Sequence, residues 1–459
     1  MPPAAAPGAA PGARQKEGFS VTPVTSTNTV NGTTTYTIPG MRVREGVTDV
    51  PLDWSDPDRG TLQLFFRDIV DPARAREDLP CLVYLQGGPG GKGPRPLDRG
   101  GWLGVALETH RVVLVDQRGT GRSTRIDGRR MGAFGTAREA ADFLACFRAD
   151  AIVADHEHLR TSVYGGGRWS TLGQSFGGFL TLAYLSRAPQ GLSACYVTGG
   201  LPGLDPSAAE VYRRTYPRVE AKNATFYQRY PHQVAQVARI ADHLAEHDVR
   251  LPDGDRLTVR RMQSLGLDLG MKPGHERLHW LLDEAFTGAE LSTTFLHQVL
   301  ARTSFGDNPL FAAMQESVYG HGPGATGWAA QAERAAHPQF AEDARPLLFT
   351  GEMIYPWMFE EIAELRPFRG AVELLAAREE WPPLYDLDRL AGNEVPVAAA
   401  VYFDDMYVDS GLQLDTASRV GNVRTWVTNE YEHDGVGDAR VLTRLRDMVR
   451  ESGGGLADA

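Results

Sequence analysis

The pentapeptide Gly173-Gln174-Ser175-Phe176-Gly177 constrains this chain more than any other stretch. A strand-like run over residues 168–172 precedes it, and a helical run over 178–185 follows. Gly-x-Ser-x-Gly between a strand and a helix makes a sharp turn that only small flanking residues permit, and the turn lifts the serine hydroxyl into a cleft. Inside an ordinary loop the same letters would mean little. In this setting Ser175 reads as a nucleophile, at the end of a strand in a sheet whose connections are helical.

The rest of the chain supplies such a sheet. Short, continuous apolar runs of the buried parallel kind occur at residues 81–85, 111–115 and 194–198, and helical patterns at 137–151 and 178–187 separate them. Upstream, residues 21–70 read as antiparallel strands, with 33–38 and 61–67 the clearest and Asp56-Pro57-Asp58 a turn between them. Beyond residue 205 helical periodicity dominates, over 208–247 and 278–300; strand character returns at 395–403 and 423–427, and an amphipathic helix at 439–451 closes the chain. The expected class is α/β: a mostly parallel sheet with an antiparallel N-terminal part, and a helical cap inserted after the nucleophile region. The expected division is core over 19–205 and 369–453, cap over 206–368, and tails at 1–18 and 454–459.

A net charge of -11 provides no basic footprint for nucleic acid and no polybasic patch for a membrane. Cys81, Cys146 and Cys195 are too scattered for a disulfide framework or a zinc cluster, and their apolar neighbours suggest packing. The Ala/Pro/Gly-rich opening lacks a basic start and an apolar core, so it reads as a disordered tail rather than a secretory signal. A cytoplasmic protein without membrane or nucleic-acid partners is the simplest expectation.

A serine hydroxyl needs a histidine to take its proton, and the histidine needs a carboxylate to fix its tautomer. In α/β-hydrolases these follow in the order Ser, Asp/Glu, His, each on a loop after a strand. Of twelve histidines, His433 alone lies just past a late strand. Asp404 and Asp405 both follow the strand ending near Phe403, with Asp409 a third candidate. The developing oxyanion needs backbone donors. One is the N–H of Phe176; the other belongs to Gly87 or Gly88 in Gly87-Gly88-Pro89-Gly90-Gly91, a loop richer in glycine than a plain turn requires.

Taken together, Gly87-Gly88-Pro89-Gly90, the segment Asp116-Gln117-Arg118-Gly119-Thr120-Gly121-Arg122-Ser123 and Gly173-Gln174-Ser175-Phe176-Gly177-Gly178 resemble the proline iminopeptidase (prolyl aminopeptidase) family. The likeness runs from about residue 30 to 450. The segments 350–357 and 429–435 look like its larger bacterial form. The resemblance implies Ser175 as nucleophile, His433 as base and Asp405, in its Asp-Met pair with Met406, as the orienting acid. It implies further that Asp116 and Arg118 brace loops, and that Glu316 and Glu352 grip the substrate's free N-terminal amine. The implied activity is release of N-terminal proline from peptides, without metal or organic cofactor. Gln86 stands where the family loop commonly has His, and Phe176 where it often has Trp; neither change removes a backbone donor.

One motif points elsewhere. His275-Glu276-Arg277-Leu278-His279 has the spacing of a zinc-binding helix, with Glu284 or Glu290 as a formal third ligand. Pro273-Gly274 puts it at a helix start, however, and Leu278, Leu281, Leu282, Ala285 and Phe286 give that helix an ordinary apolar face, so no metal site is expected. A tripeptidyl-type exopeptidase or an esterase of the same superfamily is the alternative activity, and a non-catalytic receptor or scaffold the remote one. Epoxide hydrolases and dehalogenases carry Asp where Ser175 stands.

Overall fold

The computed structural model describes residues 28–30 and 32–453, so the tails expected at 1–18 and 454–459 lie outside the described residues. The central sheet has ten strands: β1 (Asn28–Val30), β2 (Thr33–Ile38), β3 (Met41–Pro51), β4 (Thr61–Val70), β5 (Cys81–Leu85), β6 (Arg111–Val115), β7 (Trp169–Gln174), β8 (Leu192–Thr198), β9 (Val397–Tyr402) and β10 (Val423–Thr428). Their order is β1-β2-β3-β4-β6-β5-β7-β8-β9-β10. Pairings are antiparallel from β1 through the β4–β6 contact and parallel from β6 to β10. This is the α/β-hydrolase arrangement expected from the pattern of runs.

The principal helices are α1 (Gly101–Leu107), α2 (Ala137–Leu144), α3 (Ala149–Ser162), α4 (Phe176–Arg187), α5 (Ala208–Arg229), α6 (Gln233–Glu246), α7 (Gly274–Asp283), α8 (Thr293–Thr303), α9 (Ser410–Arg419) and α10 (Ala439–Glu451). Alternate side chains of the strands feed two cores. Leu82, Val112 and Ala398 pack under α1 and α10, while Val83, Val113 and Val197 pack under α3 and α4 in a core that continues into the helices beyond β8. Between β8 and β9 the chain adds no strand to the central sheet. Among the described residues no helix is long and apolar enough to cross a membrane.

Three local differences from the expected pattern have physical causes. The helical stretch over 137–151 is two helices, because Arg148 is extended (ψ 172°) and its guanidinium reaches the carbonyl of Gly320. The stretch over 208–247 divides after α5, where Pro231 cannot continue the ladder. Between α7 and α8 a small hairpin pairs Phe286–Thr287 with Glu290–Leu291.

Register places the site. Leu85 lies beside Gly173, Gln174 beside Thr198, Ala400 beside Thr198 and Tyr402 beside Thr428. The loops leaving β5, β7, β9 and β10 therefore open on one edge of the sheet, where ligands of open α/β sheets bind.

Candidate active site

Ser175 sits between β7 and α4 with φ 55° and ψ -125°, a left-handed backbone that a non-glycine residue rarely adopts. The turn is held by Ser175 N–H donating to Thr198 O (3.0 Å) and Gly178 N–H to Ser175 O (2.7 Å). Its glycines are required by proximity. A Cβ on Gly177 would lie 1.9 Å from the carbonyl oxygen of Leu85, and one on Gly178 would lie 2.1 Å from that of Gly200. Both obstacles are buried backbone, at the end of β5 and just past β8, which cannot swing aside. Gly177→Ala is therefore expected to destabilise the fold by about 3 kcal/mol, read as a lowered midpoint in denaturant.

The loop after β5 passes directly over Ser175. A Cβ on Gly87 would come within 3.1 Å of Ser175 Cβ, and Gly88 has φ 131°, so glycine is needed at both places. The segment after β6 fixes that loop. Gln117 Nε2 donates to Gln86 O (2.9 Å), and the Asp116 carboxylate accepts from Gly93 N–H (3.0 Å), Arg122 N–H (2.8 Å) and Arg95 (2.6 Å). Arg118, 2% exposed, makes a two-pronged ion pair with Asp155 at 2.7 and 2.5 Å and donates to Leu52 O and Cys146 O. Asp116 and Arg118 thus brace loops.

Beyond β9 and β10 the structure joins Asp405 to His433. Asp405 is fully buried, and its Oδ2 lies 2.7 Å from His433 Nδ1. Its Oδ1 accepts from Tyr407 N–H (2.8 Å) and Val408 N–H (3.2 Å), so both oxygens are fixed. Asp404 is exposed, and Asp409 caps α9 by accepting from Leu412 N–H (2.9 Å). Geometry separates the three aspartates that residue order alone left open. Burial alone would lower the His433 pKa; Asp405 and, further off, Glu352 outweigh it and hold the imidazole above its ordinary value.

Glu316 is buried, and Glu352 is half-buried. Glu316 is 6% exposed, and neither carboxylate oxygen has a hydrogen-bond partner. Burial pushes its pKa up to about 7; Thr326 and the N–H groups of Trp328, Ala330 and Ala329 offset part of that cost without reaching hydrogen-bond geometry. Burial likewise pushes Glu352 up to about 7, with His433 opposing and Asp405 adding to the rise. Burial raises the Tyr212 phenol, with Tyr319 and then Glu316 and Glu352 adding to it, and burial followed by Glu352 and Glu316 raises that of Tyr319. Tyr212 and Tyr319 meet edge to face at 5.9 Å, and Tyr319 continues through Phe179 (6.3 Å) to Phe176 (5.8 Å) beside the nucleophile. Gln315 Oε1 and the Tyr212 hydroxyl are also without partners. Beside Phe176, a narrow crevice of only about 10 Å³ is lined by Pro89, Phe147, Arg148, Met314, Val318 and Leu384.

Comparison with known proteins agrees with this layout. A family profile described as alpha/beta hydrolase fold matches residues 80–285. The proline iminopeptidase of Aeromonas sobria is 47% identical over 420 residues, covering 91% of this chain and 98% of that protein. The chain belongs to the proline iminopeptidase family. A proline iminopeptidase of Aspergillus aculeatus is 36% identical, covering 86% of this chain and 90% of its own length. Among solved structures, the proline iminopeptidase of Mycobacterium smegmatis aligns over 92% of this chain and 99% of its own, at 14% identity and a TM-score of 0.39.

Family membership also frames what reading the residues missed. Tyr212 and Phe147 come from segments far from any motif, and Met314, Gln315 and Tyr319 flank Glu316 without a motif of their own. The zinc-like motif is spent on packing. His279 stacks on Tyr230 (4.2 Å) and lies 2.9 Å from Gln233 Nε2, while Glu276 pairs outward with Arg229 at 2.5 Å. Among the described residues no group of three or more His, Cys, Asp or Glu side chains is arranged to hold a metal.

Proposed function

We propose that the protein is a serine exopeptidase that releases N-terminal proline from peptides. Ser175 attacks the prolyl carbonyl while His433 takes its proton, and Asp405 keeps the proton of His433 on Nδ1 so that Nε2 is free to act as base. Phe176 opens α4, so its N–H has no acceptor within the helix; with an N–H of Gly87 or Gly88 it holds the oxyanion. His433 then protonates the departing amine, and water hydrolyses the prolyl-enzyme by the reverse sequence.

The observation that carries this reading is the buried Glu316 carboxylate, whose oxygens make no well-formed hydrogen bond although Thr326 and the N–H groups of residues 328–330 lie near. Buried acceptors without donors are costly. A secondary ammonium supplies both donors and charge, and its attraction for the carboxylate anions offsets the burial that holds Glu316 and Glu352 near 7. A peptide substrate and a cytoplasmic setting fit this chemistry.

The test is release kinetics on proline, alanine and leucine amides, N-acetylproline amide, Ala-Ala-Pro amide and a short ester. Proline amide is expected to be turned over fastest and to lose that advantage on acetylation. Glu316→Gln should lower kcat/KM for proline amide roughly 30- to 1,000-fold while leaving ester hydrolysis within about threefold. For the native protein, kcat/KM should fall as pH drops below 7, because carboxylates that must be anionic and an imidazole that must be neutral all take up protons there. Preference for the tripeptide or the ester would overturn the amine grip while leaving Ser175 in place.

A further inference from the structure

The two late loops of the site are fastened mainly to the insertion after β8. On α5, Arg218 and Lys222 share a face four residues apart. Arg218 donates to Asp409 Oδ2 (2.6 Å), Ser410 Oγ (2.9 Å) and Phe403 O (2.8 Å), and so grips the loop of Asp405 on both sides. Lys222, 7% exposed, bonds Glu432 Oε2 at 2.5 Å, one residue before His433. The segment before α7 holds the same loops from the other side. Gly270 O accepts the N–H of His433 itself (3.0 Å), Lys272 N–H donates to the Asp434 carboxylate (3.0 Å), Lys272 Nζ donates to Glu430 O (2.5 Å), and the Tyr407 hydroxyl donates to Leu267 O. Tyr407 in turn sets its ring edge against His433 at 4.7 Å.

These contacts are more than loop packing. A buried lysine is costly unless its charge is met, and Lys222 lies 7% exposed on the wall of a cleft it shares with the cations Arg218 and Arg229 and with Glu432. A hydrophobic residue would fill that place more cheaply if packing were the only need. The one carboxylate that meets Lys222 is covalently next to the histidine. We infer that Lys222, through Glu432 and with Arg218 on the opposite loop, is a positioning residue for the His433–Asp405 pair, so that the insertion frames the base as well as covering the substrate.

This rests on the reading of Ser175, His433 and Asp405 as the reacting set, and the experiment separates the two. Lys222→Met is compared with Lys222→Arg and Glu432→Gln, on proline amide and on a short ester, with fluorophosphonate labelling of Ser175 as a third readout. A displacement near 1 Å is enough to slow chemistry about 100-fold. Lys222→Met should therefore lower kcat and the labelling rate roughly 30- to 100-fold with KM within threefold, Glu432→Gln should act in the same direction, and Lys222→Arg should recover most of the loss. The charged groups facing His433 are Asp405 on the neighbouring loop, Glu352 from the insertion and Asp434 on its own loop. Loosening the Asp405 contact leaves burial less opposed, so the acid limb of kcat/KM should move to lower pH in Lys222→Met. A merely structural lysine would lower the melting temperature and leave kcat of the folded protein, the labelling rate and the acid limb unchanged; that result overturns the inference. Should Lys222→Met fail to fold, Glu432→Gln carries the same test. Because the ester and the label need only the reacting set, an unexpected substrate preference would sink the proline reading and leave this test standing.

Discussion

Ser175→Ala is expected to abolish turnover of proline amide, with kcat falling ~10⁴- to 10⁶-fold, as when the nucleophile of a serine triad is removed. The variant should remain folded, for a specific reason. The strained backbone at Ser175 (φ 55°) is maintained by the bonds of its own N–H and C=O to Thr198 and Gly178 and by glycines at the closest approaches, and alanine keeps the same Cβ and the same backbone groups. The loss is confined to one hydroxyl. Melting temperature should match the native protein, fluorophosphonate labelling should disappear, and competitive binding of proline should persist because Glu316 and Glu352 are untouched. Retention of even 1% of the native rate in a preparation free of native enzyme would remove Ser175 as the nucleophile.

Much of this arrangement could be read from the residues because the features that build it are local. The runs at 81–85 and 111–115 are continuous and apolar because those strands are buried on both faces, and their ends fall where the runs end. The elbow was legible because a strand, a small-residue turn and a helix occur in immediate succession, and α10 because its apolar stripe is regular. The break between α2 and α3 had no such signal. It is made by Arg148 reaching across to Gly320, a contact between residues far apart in sequence, and no glycine or proline marks it. The choice of Asp405 over Asp404 had the same character. Two adjacent aspartates after a strand point to opposite sides, and only the position of His433 and the N–H groups of Tyr407 and Val408 decides which one is used. Family resemblance pointed to Asp405, Glu316 and Glu352 where residue order alone did not, while Tyr212 had neither a motif nor a local pattern to announce it.

Asp405→Asn carries the second large expectation: a fall in kcat of ~10⁴-fold, against a change of less than about twofold for Asp404→Asn. The asparagine can still accept the N–H groups of Tyr407 and Val408 through its amide oxygen, so the loop should keep its shape. What changes is the group facing His433. A carboxylate can only accept, which forces the imidazole proton onto Nδ1 and leaves Nε2 unprotonated; an amide NH₂ donates to Nδ1 and moves the proton to Nε2, the wrong tautomer for a base. The pH profile should move as well. In the native protein Asp405 and Glu352 hold the His433 pKa above its ordinary value against burial, so the neutral base is lost as pH falls through that raised value. Without the Asp405 charge, burial dominates and the imidazole pKa drops. The residual activity of Asp405→Asn should therefore persist to lower pH than the native activity while its plateau stays ~10⁴-fold down. A plateau near the native level would free Asp405 of its role, and a matching collapse in Asp404→Asn would reassign the acid to its exposed neighbour.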